Sequence, residues 1–131
     1  MNTNLCIKVG KPLWMTSNHR LHHMERANRA KRLRILARAR GLQLRVKLQE
    51  PVHIKATVRT PTNAVFDPPN AWPTIKPIID GLVDAGVLED DSSIQVPEVT
   101  FVRGAKTGRA GVYIVELEFT PIREEADNGE C

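Results

Sequence analysis

Three stretches of the 131-residue chain alternate apolar and polar side chains, the two-residue period of a half-buried strand. Leu5, Ile7 and Val9 alternate with Cys6 and Lys8, and Gly10, Lys11 and Pro12 end the run. Val52, Ile54, Ala56 and Val58 alternate with His53, Lys55, Thr57 and Arg59. Tyr113, Val115, Leu117 and Phe119 alternate with Ile114, Glu116 and Glu118. Residues 94–102 read as a fourth strand, in which Pro97 marks an edge or a bulge.

Two stretches have helical spacing instead. Residues 21–40 contain neither Pro nor Gly and are rich in Ala, Arg, Leu and Lys, so a helix is expected there. Thr16, Ser17 and Asn18 are competent N-caps, and Gly41 is a natural stop. Leu21, Met24, Ile35, Ala39 and Leu42 make its apolar face, interrupted by Asn28 and Lys31. In the second helix Ile75, Ile78, Ile79, Leu82 and Val83 form an i, i+3, i+4, i+7, i+8 stripe. Pro68 and Pro69 are expected to hold the chain extended before it, Pro73 suits its first position, and Gly86 ends it. Pro77 must then lie in or near the first turn. The order is β-α-β-α-β-β, which predicts one α+β domain over residues 1–122: a mixed sheet with helices packed on it. The Gly-rich residues 103–111 read as a hairpin loop between the last two strands, and residues 123–131 as a polar tail.

Composition changes this picture little. Apolar and charged fractions of 41% and 26% suit a soluble globular protein, and no run is long enough to span a membrane. The first residues lack an apolar signal-peptide core, so a cytoplasmic location is expected. Cys6 and Cys131 are poorly placed to pair, which fits a reducing compartment.

Charge changes it more. Residues 1–59 hold 14 Lys/Arg against two acids, whereas residues 60–131 hold five against 13. A basic half joined to an acidic half points to a polyanion partner and a separate site that needs carboxylates. Ten of the basic residues fall between Arg20 and Lys47, and Arg26, Arg29, Arg32, Arg34 and Arg38 on the first helix are candidate phosphate contacts. Lys106 and Arg109 in the Gly-rich loop join them. That loop lacks the Gly-Lys-Ser/Thr of a nucleotide-binding phosphate loop. His19, His22 and His23 cluster, but only His19 and one of the other two would share a helix face, no cysteine is near and the Glu of a zinc-protease motif is missing, so a zinc site is not expected.

The chemistry concentrates in residues 67–91, DPPNAWPTIKPIIDGLVDAGVLEDD. Asp67, Asp80, Asp90 and Asp91 are carboxylates bracketing one short helix, Asn70 adds an oxygen, and Lys76 stands four residues before Asp80. Such acids bind hard cations, and a lysine beside them can stabilise an oxyanion. Asp84 points away from the apolar stripe and reads as a solvated charge.

The pattern D-x-x-N-(x5)-K-x-x-x-D-G-L-x-x-A-G-x-L-x-D-D, from Asp67 to Asp91, resembles the signature of the RusA-like crossover-junction endodeoxyribonucleases, Holliday-junction resolvases often carried by phages. The stretch from Trp14 to His22 resembles the opening of that family, and the likeness reaches to about residue 120. The resemblance implies a RusA-like fold and a homodimer that nicks four-way junction DNA symmetrically in recombination and repair, with Mg²⁺ or Mn²⁺ held by aspartates. It implies that Lys76, Asp67 and Asp91 are catalytic and that Asp67, Asp90 and Asp91 hold metal, with Asp80 and Asn70 in support. In a phage-encoded protein the location would be the host cytoplasm. Pro69 stands where the family carries its second acid, five residues separate Asn70 from Lys76, and Val65 and Phe66 replace arginines. Two alternatives keep the same fold: a DNA-binding protein without catalysis, and a nuclease acting on other branched DNA.

Overall fold

The computed structural model describes residues 2–122, in chain order β1 (Thr3–Gly10), α1 (His23–Leu44), β2 (Val52–Arg59), α2 (Trp72–Asp84), β3 (Glu98–Arg103) and β4 (Val112–Pro121). The expected tail, residues 123–131 with Cys131, lies outside the described residues. The strands form one mixed sheet in the order β1-β4-β2-β3. β4 is antiparallel to both neighbours, pairing Leu117 with Leu5 on one side and with Ala56 on the other. β2 and β3 are parallel, with Ile54 opposite Val99, and α2 makes the crossover between them. Both helices contribute to a single core of buried apolar side chains, which makes the protein a one-domain α+β fold. Among the described residues no helix is long and apolar enough to cross a membrane.

The strand alternation places side chains as the two-residue period requires. Leu5, Ile7, Val9, Val52, Ile54, Ala56, Val58, Val115, Leu117 and Phe119 are all buried, whereas Cys6, Lys8 and Lys55 on the opposite face are exposed. β3 begins only at Glu98. Residues 92–96 form a turn instead, closed by the Val96 N–H donating to the Ser92 carbonyl at 2.8 Å, and Ile94 is exposed. Pro97 therefore sits just outside an edge strand, where a missing N–H costs no ladder bond. Residues 103–111 are not a hairpin loop: β4 lies on the far side of β2 from β3, so this segment crosses the end of β2. Thr107 N–H and Gly108 N–H donate to the Thr60 and Pro61 carbonyls there, at 2.8 and 3.1 Å.

α1 is longer than expected and is rotated relative to the expected face. His22 caps it, its Nδ1 accepting from the Met24 N–H at 3.2 Å, in place of Thr16, Ser17 or Asn18. Its buried residues are Leu33, Ala37 and Gly41, while Met24, Ile35 and Leu42 are exposed. Gly41 lies inside the helix, and Arg45 with φ 53° closes it. The cause is the contact with α2. A Cβ on Gly81 of α2 would collide with the Arg34 carbonyl and come within 2.7 Å of the Ala37 Cβ. One on Gly41 would come within 2.9 Å of the Ala85 Cβ. Close approach selects the face with the smallest side chains, not the face with the bulkiest apolar ones.

The entry to α2 also differs. Pro68–Ala71 form a 3₁₀ turn, not an extended segment, because a proline φ near −65° suits a first helical position equally well. Pro77 lies in the helix interior, buried in the core, and the helix continues through it. Thr74, fully buried in the first turn, both accepts from the Met15 N–H and donates to the Met15 carbonyl, each at 2.8 Å. That pair of bonds ties the segment after β1 to the start of α2. Gly81→Ala is expected to destabilise the fold by about 3 kcal/mol or more, because the clash is with backbone and neither helix can shift without opening the core. Urea unfolding measures it, with Gly10→Ala as a control, because a Cβ there would meet nothing closer than the Pro12 ring at 3.5 Å.

Candidate functional site

α2 presents Lys76 and Asp80 four residues apart on one edge, and the segment after it brings Asp91 to the same place. The Lys76 ammonium donates to Asp80 Oδ1 at 2.6 Å and to the carboxylate of Asp91. One cation thus holds two carboxylates from two separate elements. The three side chains are 41%, 25% and 33% exposed, so the cluster is open to a ligand yet not fully solvated. Burial by itself would lower the Lys76 pKa, but hydrogen bonds and charge from Asp80 and Asp91 outweigh it and raise the value. The hydrogen bond from Lys76, followed by that with Asp80, holds Asp91 below the usual carboxylate range, against a smaller opposing effect of burial. At neutral pH the cluster therefore contains a protonated lysine beside an ionised Asp91.

The other predicted residues make different contacts. Asp67 is exposed and precedes the 3₁₀ turn, its carbonyl accepting from the Asn70 N–H at 2.9 Å. Asn70 is half-buried, and its carbonyl accepts from the Ser17 N–H at 2.9 Å. Asp90 adjoins Asp91 in sequence, but its Oδ1 accepts from the Ser92 N–H at 3.2 Å, which engages that carboxylate in a local turn. Among the described residues no group of three or more His, Cys, Asp or Glu side chains is close enough to hold a metal ion. Of the expected carboxylates, Asp80 and Asp91 meet at Lys76, and Asp67 and Asp90 do not complete a group of three with them. A Mg²⁺-type ion needs only one or two carboxylates, with water and phosphate oxygens completing its shell, and Asp80 with Asp91 meets that smaller requirement.

Two features of the site had no counterpart in the expected set. Gln95, 5% exposed, accepts from the Asp90 N–H at 2.7 Å through Oε1 and donates through Nε2 to the Leu48 carbonyl at 2.5 Å. It anchors the acid-bearing segment to the chain before β2, where the Leu48 N–H also donates to the Val87 carbonyl at 2.8 Å. Its signal in the sequence, a lone amide between Ile94 and Val96, was too slight to distinguish it from a solvent-facing strand residue. Asp84 is the second. It is not a free solvated charge but accepts two hydrogen bonds from Arg34 of α1, at 2.6 and 2.8 Å. That fork holds Asp84 below the usual carboxylate range and raises Arg34 above its ordinary value.

The basic helix divides into engaged and open cations. Arg29 binds Glu25 and the Trp14 carbonyl, both at 2.9 Å, Arg26 donates to the His19 carbonyl at 2.7 Å, and Arg34 holds Asp84. Arg32 and Arg38 stand exposed on α1, as do Lys106 and Arg109 in the crossing segment before β4. No protein-family model matches this sequence, and a search among curated proteins finds no significant match.

Two outcomes follow for the site. Gln95→Leu leaves the Asp90 N–H and the Leu48 carbonyl without partners and is expected to destabilise the protein by about 1–3 kcal/mol, read from urea midpoints. The second concerns pH. Asp91 titrates below its usual 3.8, so its contribution is present above that value and is lost as pH falls through the lowered pKa. Lys76 titrates above its usual 10.5, so its contribution is present below that value and is lost as pH rises through the raised pKa. The difference in melting temperature between the protein and Lys76→Met should be largest between about pH 5 and 9 and shrink on both sides. A difference independent of pH from 3 to 9 would mean that the ion pairs do not stabilise the fold.

Proposed function

We propose that this protein is a metal-dependent, structure-specific endodeoxyribonuclease of the RusA-like kind, cutting four-way DNA junctions in recombination and repair. The observation that carries this reading is the grip of Lys76 on Asp80 and Asp91, which unites the lysine and two acids of the signature across a helix and a loop. The partition of charge supports a polyanionic substrate, and the exposed Arg32, Arg38, Lys106 and Arg109 are suited to its phosphates.

Asp80 and Asp91 would hold the ion, with waters and phosphate oxygens completing its shell. A bound Mg²⁺ or Mn²⁺ would supply Lewis acidity and neutralise charge on the phosphoryl group under attack. Lys76 stays protonated, so it acts as an electrostatic donor to a phosphate oxygen and not as a base. Asp91, held ionised, serves as an acceptor and a ligand, not as a proton donor. Symmetric nicking of a junction would require two such sites, hence a homodimer. A second reading, DNA binding without catalysis, is favoured by one observation: Asp67 and Asp90 do not join the other acids.

A cleavage assay separates these readings. Synthetic four-way junctions should be nicked in Mg²⁺ and left intact in chelator, while a linear duplex is spared and a flap is cut poorly. Equal cutting of junction and flap would instead indicate a nuclease for branched DNA in general. Asp91→Asn should abolish cleavage and keep junction binding, and Lys76→Ala should slow cleavage by roughly 100- to 1,000-fold. Binding without nicking in any divalent ion would establish the non-catalytic reading, and normal cutting by Asp91→Asn would overturn the site assignment.

A further inference from the structure

Beside the charged cluster lies an apolar surface that the chemistry above does not use. Trp72, Lys76 and Asp80 follow one another at every fourth position of α2 and so share an edge of the helix. The level of Trp72 is about 6 Å from that of Lys76 along the axis. The other tryptophan, Trp14, is buried and stacked on Tyr113, whereas Trp72 is 37% exposed. Its ring is set nearly perpendicular to Phe101 of β3, at 86° with centroids 5.9 Å apart, so its orientation is fixed without any ligand. Trp72, Phe101, Val99, Pro69 and Ser17 line an open groove of about 400 Å³ between the start of α2 and the sheet edge.

We propose that this groove is a nucleobase subsite: an unpaired base of branched DNA stacks on Trp72 while its neighbouring phosphate meets Lys76. This rests on the reading of the protein as a DNA-binding enzyme. A nucleotide unites a flat, weakly polar ring with an anion one short linkage away, and the groove and the ammonium offer the complementary pair at that spacing. Stacking on an aromatic face accepts any base, so the subsite would select exposed bases and not a sequence. Fully paired duplex presents no free base face, and the subsite would thereby contribute to discrimination between branched and linear DNA.

The test uses a duplex carrying a bulge of unpaired thymines and an otherwise identical duplex in which those nucleotides are abasic, both in chelator so that no cleavage occurs. The phosphates are the same in the two probes, and only the bases differ. The protein should prefer the thymine bulge, and the bulge should quench tryptophan emission. Trp72→Ala should reduce that preference by roughly 5- to 150-fold, and Trp72→Tyr should largely restore it. Equal binding of the two probes, or a preference unchanged in Trp72→Ala, overturns the subsite while leaving DNA binding intact. Failure of the protein to bind either probe or a four-way junction overturns the functional reading and the subsite together. A shift of the emission wavelength with protein concentration, without DNA, that disappears in Trp72→Ala assigns the groove to a second copy of the chain and overturns the proposal.

Discussion

The approach of α1 to α2 at Gly81 and Gly41 is the contact on which the placement of every charged group depends. Gly81 lies against the Arg34 carbonyl and Ala37, which leaves α2 no freedom to rotate about its axis. At ~100° per residue the rest of the helix follows from that one orientation. Asp84, three residues on, falls beside α1 and meets Arg34. Asp80 and Lys76, roughly 100° and 140° round from Gly81, stand clear of α1 on the side where residues 89–93 return. A packing constraint between small residues thus decides which acid becomes a structural clasp and which remains at an open site.

The open site is held by the same interaction that would serve its chemistry. Lys76 ties residue 91 to α2, and Gln95 ties residue 90 to the chain before β2, so the acid-bearing loop is fastened to two separate parts of the fold. A phosphate approaching Lys76 competes with Asp80 and Asp91 for the ammonium. A divalent cation approaching the two carboxylates competes with Lys76 for them. The two ligands relieve each other's competition, since a cation accepted by the carboxylates frees the ammonium for an anion. Under the proposed function, metal and phosphate would bind with positive coupling at this cluster, a consequence of one cation shared by two acids.

Much of this was legible in the sequence where a single period governs. Strict alternation located β1, β2 and β4 together with their buried faces, and the α2 stripe identified Ile75, Ile78, Ile79 and Leu82 as core. The misreadings have one physical root, that periodicity weighs a residue's bulk and not its partner. Met24, Ile35 and Leu42 read as the apolar face in place of Leu33, Ala37 and Gly41, although the close crossing requires small residues at Ala37 and Gly41. Asp84 looked solvated because its partner is 50 residues distant in sequence. The hairpin expected over residues 103–111 failed for a similar reason: adjacency in the chain is the default, but β2 had already paired with both strands.

Charge counting needs the same correction. Residues 1–59 carry a balance of +12, yet several of those cations are internal fasteners. Arg40 reaches the Cys6 carbonyl at 3.1 Å, Arg59 bonds the Ala105 carbonyl and Glu116, and Arg26, Arg29 and Arg34 are engaged around α1. A guanidinium with five donors can hold a carbonyl and still attract a phosphate, but it cannot swing to meet one without releasing its protein partner. Among the described residues the exposed Lys31, Arg32 and Arg38 make no such bond, and they share the outward side of α1 with Met24 and Ile35. Electrostatic attraction to a polyanion would thus come from the whole basic half, while adjustable phosphate contacts would come from these few side chains. The engaged arginines set the shape of the surface, and the exposed ones would determine how closely a polyanion could follow it.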